Sequence, residues 1–322
     1  MGLYEWWQRI INKQPAAPTP APAPAPTTTP TPTPAPTTTT STTSTTKDKW
    51  GISKIHLDAT GIRAQVWYMD MNDPSSDPRF KNEQNANLHK ESDGAWSSDG
   101  SSNGKYQVRL EGWSENGSKK WGNTEVTVYA NFMNDITAGD PGSYAFQVYR
   151  GGGHHSDTAP CDGACYKGRV RKDQNVVIVK EILHPDYTSN KGGLKKLSSS
   201  PKGKYIGTKL VVYNLPQRSD MKVPVKIQVW IDETGMSQDG VFHTDKQNWV
   251  KMAETTDSGG WASGDGGGCP ALEIGNTGTR KPDEILNMPG GTTAGNLCAY
   301  RTDGVKSKIK YFSIREIQAP TS

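Results

Sequence analysis

The sequence predicts an all-β chain: a two-sheet antiparallel β-sandwich of jelly-roll type, preceded by a long extended linker. Three observations lead there. From Trp50 onward, short runs of alternating apolar and polar residues recur between clusters of Gly, Asn, Asp, Ser and Pro, the chemistry of turns. Nothing after Trp50 sustains a helical period. Glycine (34) and proline (22) are plentiful while apolar residues make up 33%, which suits many strands joined by turns.

Three segments follow from composition. Residues 1–14 are read as an amphipathic helix, because Leu3, Trp6, Trp7, Ile10 and Ile11 fall on one face of a 3.6-residue period. So short a helix is marginal alone in water, so it is expected to dock on a partner protein or a membrane surface. Trp6 stands where the myristoylation pattern needs Ser or Thr, which argues against lipidation. Residues 15–49 form a Pro/Thr/Ala-rich disordered linker, and 15–46 hold only Pro, Ala, Thr and Ser. Extended as polyproline II, that tract reaches on the order of 100 Å. Residues 50–322 are the β-domain. A domain on a stalk points to an extracellular or surface-displayed protein, although the N-terminus lacks the pattern of a signal peptide.

Within the domain the expected strands are Ile62 to Tyr68, Lys105 to Leu110, Val126 to Phe132, Tyr144 to Arg150, Val176 to Leu183, Lys209 to Tyr213, Val225 to Ile231, Trp249 to Ala253 and Ile309 to Ile314. Asp73-Pro74, Asp77-Pro78, Asn116-Gly117 and Asp140-Pro141-Gly142 punctuate them. The net charge of +4 falls short of a nucleic-acid-binding signature and is compatible with an acidic polysaccharide. No cysteine pair has the spacing of a zinc finger, and the four cysteines are expected to pair as Cys161–Cys165 and Cys269–Cys298.

The chemistry concentrates between Tyr144 and Tyr187, where two strand-like runs bracket a Gly-rich loop and three of the six histidines lie. The glycines are no phosphate loop, since no Gly-Lys-Ser/Thr follows them. Arg150, His154, Lys180, Glu181 and His184 are the catalytic candidates. Gln147, Tyr149, His155, Lys167, Arg169 and Tyr187 are the candidates for holding substrate. Alternation puts Gln147 and Tyr149 opposite Phe146, Val148 and Arg150, and puts Lys180 and His184 opposite Glu181. The catalytic expectation requires Arg150, His154, Lys180 and His184 to converge in one groove. No cofactor is required by this chemistry. Asp70, Asp73 and Asp77 crowd one loop and form a structural calcium candidate, though the EF-hand pattern is not met.

The runs KYIGTKLVVYN, VPVKIQVWIDE, NWVKMAETTD and KIKYFSIREI resemble the C-terminal strands of the concanavalin A-like lectin/glucanase superfamily, and within it the polysaccharide-lyase-like jelly rolls related to alginate and heparin lyases. The resemblance covers Trp50 to about Gln318. It implies a Gln-x-His strand on the concave sheet, and Gln147-Val148-Tyr149 stands there with Tyr in place of His. Gly168-Arg169-Val170-Arg171 answers to the family's Arg-rich strand, and no counterpart of its Tyr-bearing C-terminal motif is identified. The Glu-x-Asp-x-x-Glu strand of laminarinase-like hydrolases is absent. The resulting expectation is a polysaccharide lyase acting on an acidic polysaccharide by β-elimination. The alternatives are a non-catalytic glycan-binding module displayed on its stalk and, third, a glycoside hydrolase. The expected partner is the polysaccharide, with no nucleic acid.

Overall fold

The computed structural model describes residues 47–101, 107–114, 121–135, 144–151, 165–181, 187–216, 224–258 and 297–320. The expected helix over 1–14 and the tract 15–46 lie outside them. The described chain forms β1 (Val66–Tyr68), β2 (Phe80–Asn82), β3 (Ala86–Lys90), β4 (Trp96–Ser101), β5 (Gln107–Gly112), β6 (Thr124–Asp135), β7 (Tyr144–Gly151), β8 (Cys165–Arg171), β9 (Asn175–Glu181), β10 (Tyr187–Lys196), β11 (Tyr205–Asn214), β12 (Val225–Asp232), β13 (Val250–Asp257), β14 (Leu297–Asp303) and β15 (Val305–Glu316). Among the described residues the only helical turns are two of 3-10 type, Gly61–Arg63 and Pro74–Ser76.

These strands make two antiparallel sheets. One runs β13-β12-β11-β6-β15-β4-β3, with β1 pairing β15 as its eighth strand. The other runs β10-β9-β8-β7-β14-β5-β2. The long strands pair where β-branched and aromatic residues alternate. Over Tyr205–Asn214, Leu210 and Val212 face inward while Lys209 and Tyr213 face outward. The chain crosses from one sheet to the other between β14 and β15 through Gly304 alone, whose φ of +65° favours glycine. One expected strand is shorter than alternation suggested. Gly61, at φ +65°, starts a 3-10 turn closed by Ala64 N–H to the Gly61 carbonyl, so the run from Ile62 turns extended only at Val66.

The core lies between the sheets. Val126, Val128, Leu210, Ile227, Val229, Phe312 and Ile314 from the first sheet meet Val108, Leu110, Phe146, Val148, Tyr166, Val170, Ile178 and Tyr300 from the second. Each such side chain contributes about 1.5–3 kcal/mol through burial. The fit is close at Gly112, where an added Cβ would lie 2.1 Å from the Trp67 ring. Segment 47–58 crosses the outer face of the eight-stranded sheet. There Ile55 N–H donates to Glu125 (3.0 Å) and Asp58 pairs with Arg315 (2.7 Å). Two stacked antiparallel sheets are the jelly-roll sandwich that the strand pattern predicts.

Candidate functional site

The outer face of the seven-stranded sheet carries charge where an ordinary sheet face would carry a solvated mixture. Alternation decides which side chains arrive there. One cross-strand row is Arg109 (β5), Arg301 (β14), Gln147 (β7) and Arg169 (β8), and the next is Glu111, Ala299, Tyr149 and Lys167. Beyond these, Cys165 pairs in register with Glu181 of β9. Arg109, Glu111, Gln147, Tyr149, Lys167 and Glu181 are all buried, none more than 4% exposed.

Most of these groups are matched in charge. Arg109 Nη2 lies 2.7 Å from Glu111 Oε1, and Arg301 Nη2 lies 3.1 Å from Asp303 Oδ2. Lys167 pairs with Glu181, whose Oε2 is also 3.7 Å from Cys165 Sγ. Arg169 Nε donates to Gln147 Oε1 at 2.7 Å, and its guanidinium stacks 4.9 Å from the Tyr144 ring centroid. Tyr144 donates its hydroxyl to Asp303.

Tyr149 sits among them. The Arg109 guanidinium lies 5.2 Å from its ring centroid, yet its buried hydroxyl makes no hydrogen bond among the described residues. Burial pushes its pKa well above the ordinary phenol value, and Arg109 and Arg301 offset only part of this. Tyr149 is therefore a neutral hydroxyl. Cys165 is also held protonated, since burial pushes its thiol up to about 12.

Five residues singled out in the sequence meet on this face: Gln147, Tyr149, Lys167, Arg169 and Glu181. Tyr187 begins β10 directly opposite Glu181. Arg150 and Lys180 do not join them. Strand alternation turns both toward the interior between the sheets. There Arg150 donates to the carbonyls of Trp121 and Gly122, and Lys180 Nζ lies 2.8 Å from Asp257 of β13. The expected groove of Arg150, His154, Lys180 and His184 is corrected on this point: Arg150 and Lys180 serve the core. His154, His155 and His184 lie outside the described residues.

Cys161 and Cys269, one member of each expected disulfide, also lie outside the described residues. Cys165 and Cys298 are free, buried thiols. The three calcium candidates are turned to donors of their own loop or its neighbours. Asp70 accepts Asn72 N–H (2.8 Å), Asp73 accepts Ser75 N–H (3.0 Å), and Asp77 accepts Trp67 Nε1–H (2.9 Å). Among the described residues no group of three or more His, Cys, Asp or Glu could hold a metal ion.

Three residues of the face went unmarked in the sequence: Arg109, Glu111 and Arg301. The signal for two of them was present. In QVRLEGW, Arg109, Glu111 and Trp113 alternate with Val108, Leu110 and Gly112. A cleft of about 490 Å³ lined by Lys49, Trp50, Tyr68, Asp70, Asp77 and Arg79 uses none of these side chains.

No protein-family model and no curated protein matches the sequence. Solved structures similar to the chain include a peanut lectin bound to a 9mer peptide (11% identity over 79% of this chain and 98% of that one, TM-score 0.38). Another is the alginate lyase vAL-1 from Chlorella virus (9%, 78% and 98%, TM-score 0.38). A third is a protein of unknown function with a galectin-like fold from Bacillus subtilis (9%, 82% and 100%, TM-score 0.36). At these identities and TM-scores the likenesses carry no argument about what this chain does.

Proposed function

We propose that the chain is a carbohydrate-active protein whose outer seven-stranded face holds an acidic polysaccharide and cleaves it by β-elimination. The observation that carries this reading is Tyr149: a buried, neutral hydroxyl without a hydrogen-bond partner among the described residues, set among arginines. β-Elimination from a uronate needs a group that neutralises the carboxylate, a base for the C5 proton and an acid for the leaving oxygen. Arg301, Arg169 and Gln147 form the row that would receive the carboxylate. As the base takes the C5 proton, the C5–H electrons form the C4–C5 double bond and the C4–O bond breaks. Tyr149 gives its proton to the departing oxygen. The base is assigned to His154, His155 or His184, the histidines that the sequence sets between Tyr144 and Tyr187 and that lie outside the described residues. The tract 15–46 is then a spacer displaying the domain at a surface, with the apolar residues of 1–14 as its docking end.

The test is incubation of the full chain with alginate, pectate and glycosaminoglycans, following the ultraviolet absorbance of the unsaturated product. Wild type is expected to generate product. Tyr149→Phe is expected to lose turnover by at least about 100-fold while still binding. Saturable binding with no product from any uronate would replace the lyase with the displayed glycan-binding module, because Arg109, Lys167 and Arg301 each already have a carboxylate partner. Neither product nor binding would overturn both.

A further inference from the structure

The charged face continues past Tyr149 toward the β2 edge. Ala299 of β14 is the register partner of both Tyr149 and Glu111, so Glu111 lies two strand spacings from Tyr149, roughly 10 Å. Trp113 follows one residue beyond the end of β5. Its indole Nε1–H donates to Glu111 Oε2 at 3.0 Å, and its backbone N–H donates to the Arg79 carbonyl at 2.8 Å. The ring is thus oriented from two sides while staying half-buried. Lys81 of β2, the register partner of Glu111, holds its ammonium 4.6 Å from the Trp113 ring centroid. Lys81 is also half-buried.

We infer that Trp113 and Lys81 form a second sugar subsite of the same face, one that takes an adjoining acidic unit of a polymer. This rests on the glycan reading above. The partly exposed indole offers an apolar surface for a sugar ring, and its orientation is fixed before any ligand arrives. Lys81 supplies the charge for that unit's carboxylate. Its contact with the ring is of the kind that is weak when exposed, so the ammonium swings to the carboxylate at small cost. Arg109 lies between the two subsites: it pairs with Glu111, which holds Trp113, and it faces the Tyr149 ring. The separation favours a chain spanning both positions over a single terminal sugar.

The experiment compares wild type, Trp113→Ala, Trp113→Phe and Lys81→Ala in the full chain, using sodium alginate and polygalacturonate as probes. Initial rates give KM and kcat, and calorimetry gives Kd if binding occurs without turnover. Trp113→Ala is expected to raise KM (or Kd) on the order of tenfold with kcat within twofold. Trp113→Phe is expected to restore most of that loss because it keeps an aromatic surface. Lys81→Ala is expected to give a smaller rise and a shallower salt dependence. Melting curves check that each variant folds. An unchanged KM in Trp113→Ala, or a Phe variant as impaired as the Ala variant, overturns the subsite, the latter because it would reduce Trp113 to a support for Glu111. A wild-type chain that neither cleaves nor binds these polymers overturns the glycan reading together with it.

Discussion

Tyr129 and Tyr149 are both buried tyrosines on outer sheet faces, and their hydroxyls meet opposite fates. On the eight-stranded sheet, Tyr129 donates to Asp232 at 2.7 Å, and nearby Tyr205 donates to Asp93 at the same distance. At the centre of that face Glu125 accepts from Lys209 (2.7 Å), from Arg315 and from the Ile55 N–H (3.0 Å). Lys209 also reaches Thr127, and Arg315 also reaches Asp58. Segment 47–58 supplies several of these partners, so the network closes on itself. On the seven-stranded sheet the charges pair along the strands, and the Tyr149 hydroxyl is left over. Buried charge alone therefore does not mark a functional face. A closed network holds structure together, whereas an unmatched buried hydroxyl costs about 1–3 kcal/mol.

The two faces should respond differently to mutation. Glu125→Ala leaves Lys209 and Arg315 buried without their shared anion. It is expected to cost about 3–5 kcal/mol in a urea titration, with turnover per folded molecule unchanged. Tyr149→Phe should do the reverse, lowering turnover by at least about 100-fold. Its melting temperature should stay level or rise, since a buried unpaired hydroxyl has gone. An equal stability loss in both variants would erase the distinction. Arg301→Ala removes one charge-assisted contact from the row that receives the carboxylate, so KM should rise on the order of tenfold.

The smallest effect lies in the acid limb of the stability curve. Burial pushes the Glu125 carboxyl up, but Lys209 and Arg315 outweigh it and hold the group below its usual range. A depressed carboxylate contributes stability that is present above the unfolded value, about 4.3, and is lost as pH falls through the folded one. Glu125→Gln should therefore flatten the loss of stability below about pH 4. Tyr149→Phe should leave that limb unchanged.

The fold was largely legible because long strands such as Tyr205–Asn214 and Val225–Asp232 combine alternation with turn residues at both ends. The short strands were not. WSSDGS over β4 has little apolar periodicity and pairs through its backbone with β15. The site was legible in part. Gln147, Tyr149, Lys167, Arg169 and Glu181 stand on strands whose alternation is clear. Arg150 and Lys180 misled because a basic residue at a strand end suggests solvent. Here both turn inward, where Asp257 pairs with Lys180 and the carbonyls of Trp121 and Gly122 accept from Arg150. Arg301 escaped notice because LCAYRTD mixes apolar and polar residues without a repeating face, and only its register with Arg109 and Gln147 gives it a place.

Oxidative footprinting of the tryptophans, with and without saturating acidic oligosaccharide, tests the central claim most directly. Trp113 stands on the seven-stranded face, while Trp230 and Trp249 stand on the other, and all three are half-buried and open to the reagent. Protection is expected at Trp113, with Trp230 and Trp249 unchanged. Protection at Trp230 and Trp249 with Trp113 unchanged would place the ligand on the closed face and contradict it.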